Sequence, residues 1–440
     1  MRTLDRIGVE HRAPAPDLPS TTTRSPMPAP VTRTARRARV AVSAVFLVNA
    51  VLYANLVPRL PEVKDGLGLS NAALGTAIAA MPLGALLAGL LAPLLIRLLG
   101  SAAVASFGLV ALAAAVAVIP LSGSWFALAG LFLLAGALDS VVDVAQNAHG
   151  FRVQRLYGRS IVNAFHGLWS VGAVLGGLLG SAAAGLDVPL PLHVAVTSVV
   201  FSVVAVVAHR FLLRGPEDAE RDAAPADEHP GARSLRHVAG RTVALLAALG
   251  VLAAAAAFVE DAGSSWGALY LRGEVGTGAA AAGLAFVALQ VAMTVGRLTG
   301  DRVVDRFGQR RVARVGGVLI AGGMGLALAA PSLTTTLVGF ALAGLGVATL
   351  VPAVMHTADE LPGLPAGVGL TVVSWLLRVG FLVSPTLVGV VADATSLRVA
   401  LLAVVAAGVV VAGVGRVLVA GAPRDDDATP VVPAGPAAAP

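Results

Sequence analysis

Polar side chains form a stripe near the end of a long apolar stretch. The segment LDSVVDVAQNAHG, residues 138–150, closes that stretch with two carboxylates, two amides and an imidazole. At about 100° per residue, one face of an α-helix would carry Asp139, Asp143, Gln146 and Asn147. Two carboxylates one turn apart in a low-dielectric site disfavour double ionisation, which suits a pair that exchanges one proton. We predict that Asp139 carries such a proton and that the other three tune it or contact a solute.

Four further polar positions lie inside apolar segments: Asn163, His166, Glu260 and Arg378. Asn163 and His166 share a helical face, and His166 is either a satisfied hydrogen-bonding residue or a proton carrier. Glu260 is predicted to be functional, whereas the adjacent Asp261 points about 100° away and is predicted to be structural. A charge at the centre of a bilayer costs about 2.5–3.5 kcal/mol, so Arg378 requires a carboxylate partner or an anionic ligand.

The composition indicates that lipid is the solvent of this chain. Of its 440 residues, 57% are hydrophobic and 13% are charged, and the mean hydropathy is +0.83. A soluble protein would carry roughly 25% charged residues. The net charge of +6 does not predict nucleic-acid binding, because the arginines cluster in short loops between apolar segments, as membrane topology requires. With no cysteine in the sequence, disulfides and thiolate metal sites are excluded.

Twelve apolar segments are long enough to cross a bilayer, which takes about 20 residues each. We therefore predict an all-α membrane protein with twelve transmembrane helices in two pseudo-symmetric halves of six. The predicted domains are a disordered tail over 1–37, a first half over 38–213, a linker over 214–240, a second half over 241–420 and a disordered tail over 421–440. We expect the chain to start at Met1 or at Met27, because nothing before Met27 is predicted to be structured.

The two halves are related by a shift of 208 residues. This shift pairs Gly68 with Gly276 and Gly100 with Gly308. Internal repeats of this kind are typical of secondary transporters. Arginines concentrate in the loops on the side of both termini, so we predict a multi-pass protein of the bacterial cytoplasmic membrane with both termini in the cytoplasm.

Two expectations concern the segment after Glu260 and one concerns His149. Residues 263–265, Gly-Ser-Ser, are predicted to weaken the helix where irregular backbone would line a water-filled cavity. Trp266 and Tyr270 are assigned by default to the aromatic belt at the membrane interface. His149 follows the polar stripe and is expected to enter the cytoplasm.

The loop GRLTGDRVVDRFGQRR, residues 296–311, concentrates charge between two apolar segments. Its candidate gating residues are Arg297, Asp301, Arg302, Asp305, Arg306, Gly308, Arg310 and Arg311. Gly308 permits a tight turn. The arginines can pair with Asp301, with Asp305 and with the carboxyl ends of helices, so the loop is predicted to latch neighbouring helices.

This pattern resembles the loop signature of the major facilitator superfamily, and the resemblance covers about residues 38–420. The segments DVAQNAHGF, NAFHGLWSVGAVLGG and EDAGSSWGALYLR also resemble a bacterial branch related to fucose-permease-like sugar transporters. In the first half, however, the equivalent loop keeps only Arg97 and Gly100 of the pattern, so the latch is predicted to be one-sided. The resemblance implies alternating access to a site between the halves.

The sequence therefore predicts a secondary active transporter for a small solute, and the carboxylates inside its helices favour coupling to protons. The alternatives are an efflux pump for a small organic compound or drug, and a non-transporting receptor on the same scaffold. Hydrolase, zinc-protease and nucleotide-binding motifs are absent from the sequence, so we expect no enzyme, no cofactor and no metal. We expect a monomer whose partners are the solute, the proton and the lipid bilayer.

Overall fold

A computed structural model describes residues 32–157, 161–217, 240–361, 364 and 368–418. Every regular element in this part of the chain is helical, and twelve helices are long and apolar enough to cross a membrane. The first half contains Arg33–Gly66, Asn71–Leu99, Ser101–Leu121, Trp125–Tyr157, Val162–Gly185 and Leu190–His209. The second half contains Gly240–Gly273, Ala279–Phe307, Gln309–Ala329, Leu333–Asp359, Val368–Ala394 and Leu397–Val417. The predicted fold class and helix count are confirmed.

Several helices change pitch along their length, among them the second, which tightens to a 3-10 turn at Gly89–Leu91, and the two described next. The first helix is α-helical over Arg33–Ala54, tightens to a 3-10 turn at Val57–Arg59 and continues as Leu60–Gly66. The turn includes Pro58, whose missing N–H cannot extend an α-helix. The tenth helix is divided into Leu333–Val347 and Leu350–Asp359.

The first helix begins earlier than the sequence suggested. Thr32 accepts a hydrogen bond from the Ala35 amide through its side chain and thereby caps a helix that starts at Arg33. Ala35 and Ala38 are then buried in the bundle. The tail predicted over 1–37 is therefore wrong for its last five residues. Residues 1–31, 218–239 and 421–440, which include most of the predicted tails and linker, lie outside the described residues.

The internal repeat is visible in the backbone. Gly68 and Gly276 have φ angles of 60° and 75°, and each precedes the second helix of its half. Gly100 and Gly308 have φ angles of 82° and 79°, and each separates the second helix from the third. All four angles lie in the left-handed region that glycine adopts without a steric cost. The same turn is thus used at equivalent places in both halves.

The halves meet at one end of the bundle. We call the end that carries Arg33 and Val417 the inner end, after the predicted orientation, and the opposite end the outer end. At the outer end, the Asp393 carboxylate accepts hydrogen bonds of 2.9 and 2.8 Å from the amides of Asn71 and Ala72, at the start of the second helix. We call this junction of the second and eleventh helices the outer contact.

Glycine allows the outer contact to be close. Any side chain on Gly75 would meet the carbonyl of Pro385, and any side chain on Gly389 would meet the carbonyl of Asn71. The fifth and eighth helices approach in the same manner, with Gly283 against Ser181. Both junctions join helices of different halves near their outer ends, so the bundle is closed at that end.

Candidate functional site

Asp139 is held by a hydrogen-bond network that joins three helices. Asn49 of the first helix donates to Asp139 Oδ1 at 2.7 Å, and the indole of Trp169, from the fifth helix, donates to Asn49 Oδ1 at 2.9 Å. Asn49 is 5% exposed, whereas Asp139 is only half-buried. The Asn49 amide therefore orients the Asp139 carboxylate, which remains partly exposed to solvent.

The other members of the stripe act mainly on Asp143. Gln146 Nε2 and Asn147 Nδ2 donate to Asp143 Oδ1 at 3.2 and 3.1 Å. Asp143 is exposed, but Gln146 is 1% exposed and does not face an open space. Asp143 therefore accepts hydrogen bonds from two amide side chains of its own helix. One of these donors, Gln146, is buried in the protein.

Charged groups of both halves converge on Asp143. His166 of the fifth helix and Arg378 of the eleventh both act electrostatically on its carboxylate, and Arg297 of the eighth acts on His166. Asn163, like His166, is exposed on the fifth helix. Side chains from four helices are thus exposed yet close enough to influence one another, so they face a common space between the halves.

Glu260 pairs with Arg297 across the seventh and eighth helices. The shortest distance, from Arg297 Nη2 to Glu260 Oε2, is 3.5 Å, and the two side chains are 37% and 17% exposed. Arg297 was assigned from sequence to the gating loop. In this structure the side chain lies more than two helical turns from Arg306 and pairs with Glu260, and a role of Arg297 in gating stays a prediction.

The seventh helix does not break after Glu260. It runs without interruption over Gly240–Gly273, so the predicted irregular backbone at 263–265 is wrong. Ser264 donates to the Glu260 carbonyl within the helix, and Gly263 lies close to Leu289 of the eighth helix. The small residues serve close packing between helices.

Asp261, which was predicted to be structural, lies close to the first half of the bundle. Ser265 donates to its Oδ1 at 3.1 Å, and the Ser384 hydroxyl of the eleventh helix also lies within reach of the carboxylate. The Asp139 and Asp261 carboxyls both act electrostatically on Tyr53 of the first helix. Acids of the two halves therefore flank one tyrosine.

Three side chains that were expected at the membrane surface are buried inside the protein. Trp266 and Tyr270 are fully buried and do not form an interfacial belt, and the Tyr270 hydroxyl donates to the Ala327 carbonyl at 3.2 Å. His149 is 1% exposed and is not solvated, because its ring contacts Ser101 Oγ at 2.8 Å and accepts from the Leu213 amide at 3.0 Å. Aromatic or imidazole character alone does not reveal which helix faces a neighbour.

The second-half loop is only partly engaged. Arg310 Nε donates to the Leu418 carbonyl at 3.2 Å, which is the predicted type of contact with a helix carboxyl end. Asp301 and Asp305 are exposed and form no ion pair within the described residues, so the predicted acid–arginine pairs are absent from this conformation. The outer end is closed in this structure. We therefore expect the charges of the inner loop to form ion pairs in the other conformation, in which the inner end is closed.

In the first half, an acid that lies outside the loop between the second and third helices contacts the end of that loop. Glu217, which follows the sixth helix, accepts from the Ser101 amide at 2.7 Å and from Arg152 Nη1 at 3.2 Å. Ser101 begins the third helix, and an acid at that position complements the helix dipole. The sequence did not indicate this role, because Glu217 lies 116 residues from Ser101.

Comparisons with known proteins agree with this architecture. The Major Facilitator Superfamily matches the chain over residues 42–272 and 258–439. The membrane protein MosC of Rhizobium meliloti is 30% identical over 410 residues, covering 93% of this chain and 96% of that protein. The transporter y4wD of Sinorhizobium fredii is 29% identical over 357 residues, covering 81% and 92%.

Solved structures show the same fold at low sequence identity. A bacterial homologue of the human lysosomal transporter Spinster, inward-facing and unoccupied, superposes with a TM-score of 0.69 at 17% identity, covering 88% of this chain and 98% of that one. FucP in its outward conformation gives 0.56 at 15% identity, covering 87% and 99%.

Proposed function

The chain belongs to the Major Facilitator Superfamily, a family of transporters rather than enzymes, and on that premise we propose that it moves a small solute across the cytoplasmic membrane by proton-coupled alternating access. The observation that carries the proposal is the meeting of exposed charged side chains from both halves beneath a closed outer end. A site shared by the halves changes its access when the halves rock about it.

Proton coupling rests on the acids of this site. Asp139 is the proposed proton carrier because it is half-buried, near the middle of its helix, and bound by a neutral amide rather than by a cation. A carboxylate without a fixed counter-ion can alternate between its charged and neutral forms as the surroundings change. Asp143, with its two amide donors, is proposed to tune Asp139 or to contact the solute.

The experiment is flux in reconstituted vesicles. A thermal-shift screen of the purified protein against a metabolite library first identifies compounds that bind. Uptake of these compounds is then measured with and without an imposed proton gradient. Accumulation that requires the gradient supports the proposal, whereas binding without flux would favour a receptor on this scaffold.

Orientation can be checked with fused reporters. Reporters placed after Arg214 and after Gly421 should both be found in the cytoplasm, because the arginine-rich loops lie on that side. Alkaline phosphatase and green fluorescent protein fusions at each position give opposite signals. An exported reporter at either position would contradict both the orientation and the even number of helices before it.

The inner loop should matter in one half more than in the other. Asp305→Asn is expected to reduce flux about tenfold, since a hydrogen bond to a charged group contributes about 1.5–3 kcal/mol and each 1.4 kcal/mol is about tenfold. Arg97→Ala, in the loop that lost the charge pattern, is expected to change flux about twofold or less. Initial uptake rates at matched expression test this difference, and equal or reversed effects would contradict the one-sided latch.

A further inference from the structure

Arg378 lies on the face of the eleventh helix that meets the other half. At about 100° per residue, Pro385 and Gly389 are each within about 20° of its direction. Both of these residues pack against the second helix in the outer contact. Arg378 is two to three turns further towards the inner end, beyond the point where the helices touch. Its side chain therefore points from one half towards the other at the depth of the central site.

The Arg378 guanidinium has no partner among the described residues. Its side chain is exposed, and it forms neither a hydrogen bond nor an ion pair within that part of the chain. Its electrostatic influence on Asp143 extends over a distance longer than a contact. A free arginine at this depth is costly, and a planar guanidinium presents two parallel donors to an oxyanion.

Three acids of the site, in contrast, each have at least one hydrogen-bond or ion-pair partner among the described residues. Asp139 accepts from Asn49, Asp143 accepts from Gln146 and Asn147, and Glu260 pairs with Arg297. Glu260 could bind a cationic solute only by releasing Arg297. An anionic solute would find an unoccupied donor.

We propose, on the basis of the transport function above, that the solute carries a single carboxylate and that Arg378 binds it. One unpaired guanidinium matches one negative charge, whereas a phosphate dianion would require a second cation. Exposed Asn163 and His166, on the opposite wall, can bind the polar remainder of the solute. The class is therefore a small polar monocarboxylate.

Matched pairs of compounds test the charge requirement on the purified full-length protein. The probes are D-glucuronate with D-glucose, lactate with 1,2-propanediol, and benzoate with benzyl alcohol, and glucose 6-phosphate represents phosphate esters. Thermal shift should detect stabilisation by at least one carboxylate and by none of the uncharged or phosphorylated compounds. Stabilisation by a neutral partner equal to that of its acid, by the phosphate ester alone, or by none of the acids would overturn the proposal.

Substitutions test the assignment to Arg378. Arg378→Lys should weaken binding of the acid about tenfold or more, because an ammonium lacks the planar fork, and Arg378→Gln should abolish it. Arg241→Gln, a matched change at an exposed arginine outside the site, should leave binding unchanged. Arg378→Lys keeps the positive charge. If Arg378→Gln does not fold, acid binding by Arg378→Lys alone tests the assignment. Binding equal to wild type in Arg378→Lys and in any folded Arg378→Gln would contradict the assignment.

Flux of the same compounds separates this proposal from transport itself. An acid that binds through Arg378 but does not cross reconstituted vesicles leaves the site intact and contradicts transport. A neutral compound that accumulates with protons supports transport and contradicts the carboxylate requirement. If removal of both charges in Asp143→Asn with Arg378→Gln restores the stability lost in Arg378→Gln, and acids still bind, the arginine is only a counter-ion.

Discussion

Asp139→Asn is expected to abolish proton-driven accumulation of the solute while preserving its downhill exchange. The substitution mimics the protonated carboxyl, so the site can no longer bind and release a proton during the cycle. It should not disturb the fold, because the amide oxygen of the new side chain can still accept the hydrogen bond that Asn49 donates at 2.7 Å. The network through Asn49 and Trp169 therefore remains connected.

Two assays in proteoliposomes measure the two activities separately. Uptake against a solute gradient under an imposed pH gradient should fall to the equilibrium level, and counterflow exchange should stay within about twofold of the wild type. Asp187→Asn is the matched control, since Asp187 is an exposed acid in an outer loop with φ of 52°, a conformation that asparagine also adopts. This control should leave both activities unchanged.

The opposite result would identify a structural role. If Asp139 only holds helices together through its hydrogen bond, the asparagine variant should lose little of either activity. Uphill transport that survives Asp139→Asn and Asp143→Asn, singly and together, would remove the pair from the mechanism. Glu260, whose pairing with Arg297 is long and partly exposed, would then be the next candidate.

Gly389→Leu is expected to hold the outer end open and to abolish flux. Any side chain at this position meets the Asn71 carbonyl of the second helix, so the outer contact cannot close without a backbone shift. Overpacking of this kind costs about 1–3 kcal/mol, which changes the ratio of closed to open states about fivefold to one hundredfold. A transporter that cannot close one side cannot complete its cycle.

The chain contains no cysteine, so a single introduced thiol reports on the outer contact without background. Ala79, one turn below Gly75 on the second helix, is 7% exposed and lies near the junction. An Ala79→Cys variant should react slowly with a membrane-impermeant maleimide added from the outside. The rate of maleimide labelling should rise about tenfold when Gly389→Leu is added, because overpacking of the outer contact favours the open state.

Two further variants make the result specific. Gly322→Leu is the matched control, because no atom within 4 Å would meet a side chain at that glycine of the ninth helix. Asp393→Asn keeps the packing but removes the carboxylate that caps the second helix, so it should raise labelling by a smaller factor. Unchanged labelling in both Gly389→Leu and Asp393→Asn would show that this junction does not gate the outer end.

Local sequence features determined the helices and their repeat. Backbone groups in lipid must be satisfied within each segment, so a long apolar run is sufficient to predict a spanning helix. For the same local reason, Gly68, Gly100, Gly276 and Gly308 could be paired across the halves, because glycine adopts a left-handed turn without a steric cost. The high cost of charge in lipid also marked Asp139, Glu260 and Arg378 as residues that needed a role.

The partners of those residues were decided by the tertiary structure alone. Asn49 is 90 residues from Asp139, and Asp393 is 322 residues from Asn71, so no periodicity relates either pair. The seventh helix continues through Gly263 because the eighth helix packs against it, although glycine and serine by themselves favour a break. Whether Arg297 served the loop or Glu260, and whether Arg378 had a partner, depended on how two six-helix halves approach each other. Helical periodicity assigns a face to each residue, and only the packing of the halves decides what that face meets.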